Sequence, residues 1–134
     1  MTLLAPGATG EFIDTVRAEH LASALAASGE AYPPVLSTTR TIALCELAAG
    51  RVLQPLLQPG ELSVGVEVNV RHSAATLPGS TVTATATFKE QQGKLYLFEV
   101  VVRDQAGEVM RGTHTRAIVE VERLLASARK RRGG

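Results

Sequence analysis

The chain has 134 residues, 45% of them hydrophobic, which is the size and apolar content of one ordinary domain with one core. Its 14 Lys and Arg against 13 Asp and Glu leave a formal charge of +1, so no global field draws in a polyanion, and a nucleic-acid partner is not expected. Met1 to Pro6 has neither a basic start nor a long apolar stretch, and no later apolar run reaches membrane length. The single Cys45 and the lack of zinc-site spacing complete the expectation: a cytoplasmic protein with no membrane partner, metal or internal disulfide.

Residues 1–10 are rich in Gly, Ala, Pro and Thr and are expected to be flexible, as is the basic end at 129–134, a run of the kind usually left in solvent. Glu11 to Arg17 reads as a first strand or extended arm. Ala18 to Ser28 reads as an alanine-rich helix, ended by Gly29 and by Tyr32-Pro33-Pro34. The strongest helical segment follows, from Thr38 to Leu53, with Ser37, Thr38 or Thr39 as N-cap and Pro55 as its stop. Its apolar residues do not keep to one stripe, which predicts burial around most of its circumference.

From Leu62 the period becomes two. Leu62, Val64, Val66, Val68 and Val70 alternate with polar residues and predict a strand with one core face. The turn at Leu77-Pro78-Gly79 leads to a second strand with Val82, Ala84, Ala86 and Phe88 on one side. A short loop at Gln91-Gln92-Gly93 leads to Leu95–Val102, and a turn at Asp104–Gly107 leads to Glu108–Val121. These strands read as a four-strand meander, closed by a short helix near Glu122 to Ala128. An antiparallel sheet wrapped around one long central helix lets each element cover the other, which is an α+β hotdog arrangement in a single domain over 1–134.

Three residues stand out chemically. Glu46 projects within about 40° of Ile42 and about 20° of Leu53 on a helical wheel, which places a carboxylate among apolar neighbours. Glutamate is rarely buried unless paired or functional, and both readings stay open here. His72 ends what reads as the first central strand, where a sheet presents side chains to a cleft and an imidazole can exchange protons near neutrality; a structural role is the alternative. Thr38 at the helix start is either the N-cap or a hydroxyl facing a bound ester beside free backbone N–H groups. His114 reads as structural, and His20 as a residue on an exposed helix. No Gly-x-Ser-x-Gly elbow, phosphate-binding glycine loop or cysteine-nucleophile context is present.

These residues together resemble the fluoroacetyl-CoA thioesterase family of hotdog thioesterases. The likeness is densest in Tyr32-Pro-Pro-Val-Leu-Ser-Thr38, Ala43-Leu-Cys-Glu46, Gln58-Pro-Gly-Glu61, Val70-Arg-His-Ser-Ala-Ala-Thr-Leu-Pro-Gly79 and Arg111-Gly-Thr-His-Thr-Arg-Ala117. The resemblance implies a catalytic triad at Thr38, Glu46 and His72 and an acyl pocket lined by Gly65 and Arg116. It also implies protomers paired so that active sites form at a dimer interface. Of two aromatic lid positions in the family's fluoroacetyl-specific enzyme, one is Tyr32 here and the other is Gly29. The expected substrate is therefore a small or short-chain acyl-CoA thioester, hydrolysed without a cofactor. The competing readings are a non-catalytic acyl-CoA-binding hotdog module and an enoyl-CoA hydratase. The latter lacks its usual Asp beside His72.

Overall fold

A computed structural model describes residues 4–134. Its longest helix, α1 (Thr38–Leu53), starts at Ser37, whose hydroxyl accepts the Arg40 N–H at 3.0 Å. Ser37 is thus the N-cap, and the Thr38 hydroxyl is left for other work. Thr41, Leu44, Cys45, Ala48, Ala49, Val52 and Leu53 are buried. These positions recur at three and four residues, so they form one stripe rather than the all-round burial expected. Ile42, Ala43, Glu46 and Gly50 are only partly covered and Leu47 is exposed. The expectation failed because alanine is compatible with either face, and so blurs the stripe.

Five strands curl against that stripe: β1 (Thr9–Thr15), β2 (Glu61–His72), β3 (Thr81–Gln92), β4 (Leu95–Asp104) and β5 (Gly107–Glu120). All neighbouring pairs are antiparallel, in the order β1-β3-β4-β5-β2. Only β3, β4 and β5 form a meander. The segment after β2 is not a hairpin turn but a crossover to the far side of the sheet, because both edges of β3 are taken, by β1 and β4. Backbone and side chain tie the crossover down: Leu36 N–H donates to Thr76 O at 2.9 Å, and the buried Thr76 hydroxyl donates to Asp104 at 2.8 Å.

The predicted β3 face is buried as expected, with Val82, Ala84, Ala86 and Phe88 joined by Phe98, Val100 and Val102 of β4 and Met110 of β5. Phe88 and Phe98 meet edge to face at 5.9 Å. Burying each large apolar side chain contributes roughly 1.5–3 kcal/mol. Small residues bring helix and sheet close: a side chain at Gly10 of β1 would run into the Ala48 carbonyl and Val52 of α1.

β2 departs most from its alternating pattern. Its register with β5 shifts between Gly65 and Glu67, so Val66 sits in a bulge and the faces exchange there. Val68, Val70 and His72 lie opposite His114, Gly112 and Met110, whereas beyond the bulge it is Gly65 that lies opposite Arg116. The row of valines is therefore not one core face. β2 is an edge strand, with Leu62, Val66 and Val68 exposed.

The alanine-rich segment forms two short 3₁₀ turns, Ala18–His20 and Ala22–Leu25, instead of a helix. Leu21 between them is extended and pairs with Leu36, and this tertiary bridge overrides local propensity. His20 is buried there, not exposed: its Nδ1 accepts the Arg17 N–H and its carbonyl accepts the Ser37 N–H. At the C-terminal end α2 (Val121–Arg132) runs further than expected, taking in residues 129–132, all of them exposed. Residues 9 and 10, expected with the flexible start, belong to β1. No helix among the described residues is long and apolar enough to cross a membrane.

Candidate active site

The end of β2 and the start of α1 meet. Thr38 Oγ1 and His72 Nδ1 lie 2.8 Å apart, a full hydrogen bond between residues 34 apart in sequence. The contact exists because Ser37 caps the helix and because His72 is the last residue of β2, on the side that faces α1. Burial holds the His72 imidazole below its ordinary value of 6.5, with the Ala74 backbone opposing. The ring is therefore neutral at neutral pH and able to take a proton from a hydroxyl or a water. His72 Nε2 is enclosed without a hydrogen-bond partner among the described residues.

Thr38 stands between two cavities. One, of about 320 Å³, is lined by Thr38, His72, Val35 and Ser73. The other, of about 300 Å³, is lined by Thr38, Leu25 and Tyr32. Tyr32 is 50% exposed on the loop over the helix start, and Gly29 occupies an exposed turn with φ of +85°.

Glu46 is not with that pair. Eight residues along α1 place it about 12 Å further on, where its carboxylate meets Arg116 at 3.3 Å. The Glu46 side chain is 40% exposed, against 10% for Arg116. They line a third cavity, of about 330 Å³, with Ser63, Leu47 and Gly50. Arg116 is held on several sides: Nε donates to Ser63 Oγ and Nη2 to Ser63 O, both at 3.1 Å, and Nη1 also reaches His114 Nε2 at 3.1 Å. Gly65 leaves room for this packing, since a Cβ there would meet Glu46 Oε2 and push the carboxylate aside.

One chain thus brings Thr38 to His72, and Glu46 to Arg116 and Gly65, as two clusters at different points of α1. Ser63 and His114 were not foreseen as site residues. The signal for Ser63 was Gly65, since an isolated glycine inside a strand marks a bulge or a close approach. For His114 it was the spacing of two from Arg116, which puts both on one face.

The chain superposes on a thioesterase superfamily member from Thermus thermophilus with a TM-score of 0.88 at 25% identity, over 98% of this chain and 97% of that one. Curled antiparallel sheet, long helix and this likeness define a hotdog-fold protein of the thioesterase class. Within that class the sequence matches the family described as fluoroacetyl-CoA-specific thioesterase over residues 16–122, and the chain belongs to that family. It is 38% identical over 100 residues to the fluoroacetyl-CoA thioesterase of Streptantibioticus cattleyicolor, covering 75% of this chain and 72% of that enzyme. The solved fluoroacetyl-CoA thioesterase FlK superposes with a TM-score of 0.91 at 31% identity, over 96% of this chain and 98% of that one. A mutant of FlK has been solved in complex with acetyl-CoA.

Proposed function

We propose that this chain hydrolyses a small or short-chain acyl-CoA thioester to the free acid and CoA, using Thr38, Glu46 and His72. The observation that carries the reading is the 2.8 Å contact between Thr38 and a neutral His72 in the wall of a cavity. A thioester needs an activated nucleophile and a stabilised oxyanion, and its thiolate leaves with little acid assistance. His72 acts as general base or proton shuttle, and Thr38 positions the nucleophile or the thioester carbonyl. Glu46 supplies the carboxylate that orients the base or attacks directly, and Gly65, Tyr32 and Arg116 shape the acyl site. The reaction draws on no cofactor, and the protein works in the cytoplasm.

The active form is a homodimer with its sites at the interface. Support comes from the two clusters of the single chain, which leave Glu46 about two helical turns from Thr38, and from the open edge of β2 with exposed Leu62, Val66 and Val68. Across a two-fold axis, Glu46 of one protomer meets Thr38 and His72 of its partner. The test is thiol release from acetyl-, fluoroacetyl-, propionyl- and butyryl-CoA by the wild type, by His72→Ala and by Glu46→Gln. Each substitution is expected to lower kcat at least a hundredfold in a folded protein. Mixing the two variants should restore activity if the site is shared between protomers; near-normal hydrolysis by either variant alone refutes the triad.

A further inference from the structure

His114 belongs to none of the roles above. It is 1% exposed, on the stretch of β5 that faces the helix, between the edge strand and Arg116. Its Nδ1 lies 2.7 Å from the Glu67 carbonyl oxygen and its Nε2 lies 3.1 Å from Arg116 Nη1. A carbonyl can only accept and a guanidinium can only donate. The two neighbours therefore fix the tautomer: the proton is on Nδ1, and the Nε2 lone pair takes a hydrogen from Arg116.

From this geometry we infer that His114 is a positioning residue for hydrolysis, a neutral hydrogen-bond acceptor that aims the Arg116 guanidinium at Glu46 and at the acyl site. Arg116 carries five N–H donors. Four are accounted for by Ser63 Oγ, Ser63 O, His114 Nε2 and Glu46 Oε2. The fifth, on Nη2, has no protein acceptor among the described residues. Without the His114 acceptor, the Nη1 side keeps only the bond to the half-exposed Glu46 and the guanidinium is anchored by Ser63 alone on its other side, so its aim at Glu46 loosens. A protonated His114 would set N–H against N–H and break the arrangement. Burial, first, and the charge of Arg116 keep the ring neutral, against the Glu67 carbonyl and the Glu46 charge, which favour the imidazolium.

This inference rests on the hydrolase reading for its catalytic half, and two conservative substitutions separate it from simple packing. In His114→Gln the amide oxygen reaches the Nε2 position and can still accept from Arg116. In His114→Asn the amide reaches only the Nδ1 position and can still donate to Glu67. Expected for His114→Gln is a kcat within threefold of wild type. Expected for His114→Asn is a loss of at least tenfold in kcat with KM within twofold, both variants being checked for folding by thermal melts. The reverse order, or equal activity, overturns the positioning role. Nitrogen-15 NMR of the wild-type imidazole tests the geometry without any assay: a neutral ring with its proton on Nδ1 at pH 7 supports the inference, and a proton on Nε2 overturns it. Should the wild type hydrolyse none of the esters, the hydrolase reading falls and takes the catalytic half with it, while the NMR result still decides the tautomer.

Discussion

Replacing Gly65 by Ala is the sharpest perturbation of the Glu46 cluster. The added methyl would overlap Glu46 Oε2 and come within 3.2 Å of His114 Cε1 and 3.5 Å of Arg116 Nη1. Non-bonded atoms sit 3.5–4.0 Å apart, so the carboxylate must retreat by about 1 Å. Glu46 can do this, being half-exposed, but only by loosening its 3.3 Å contact with Arg116. A misplacement of about 1 Å in a catalytic group costs on the order of 100-fold in rate. Stability should move little: Gly65 has no left-handed φ, so Ala lowers the entropy of the unfolded chain by about 0.4–1 kcal/mol, which offsets part of the clash. The expected result of a thiol-release assay beside a thermal melt is a kcat down roughly 30- to 100-fold, by the same misplacement argument, with Tm within about 4 °C of wild type. Wild-type kcat in a folded Gly65→Ala protein would refute the claim that this glycine exists to admit Glu46.

Ser37→Ala should remove the helix cap and cost about 1 kcal/mol, a fall of roughly 4 °C in Tm, while Thr38→Val should leave Tm nearly unchanged and abolish most of kcat. Melts and kinetics on the two neighbours thus separate capping from chemistry. His72 and His114 both titrate below their ordinary 6.5 in the folded chain. The unfolded chain therefore binds protons first as pH falls, so their contribution to stability is complete above about 6.5 and is lost as pH drops towards the folded values. Thermal melts from pH 8 to pH 5 should show Tm falling below pH 6.5, with a smaller fall in His114→Gln; a Tm that rises on acidification contradicts the burial of both rings. Burial, and secondarily the charge of Glu46, push the Cys45 thiol up to about 12, so a disulfide reagent at pH 8 should modify it only after denaturant is added.

Periodicity was legible wherever one face was both apolar and bulky. Val82, Ala84, Ala86 and Phe88 of β3 are buried as the pattern demands, and the turns at Gly93 and near Gly107 fall where Gly and polar residues predict them. The pattern misled in β2, where one extra residue at the bulge exchanges the two faces and brings Gly65 to the Glu46 side. An alternating row of valines reads the same with or without such a bulge. It also misled in the segment after Arg17, where alanine propensity points to a helix and the pairing of Leu21 with Leu36 enforces an extended chain. In that second segment a contact with a distant residue outweighs a local helix preference of a few tenths of a kcal/mol.

By itself the sequence determined the α+β class, the position of α1 and the strand periods, because these depend on local pattern and residue type. Only the tertiary structure decided that Ser37 rather than Thr38 caps the helix, and hence that the Thr38 hydroxyl is free to meet His72. Only it decided that Glu46 keeps company with Arg116, Ser63 and His114 instead of with Thr38. The Thr38–His72 and Glu46–Arg116 pairings join residues 34 and 70 apart in the chain, and their geometry follows from strand register and helix packing, neither of which a local window of sequence contains.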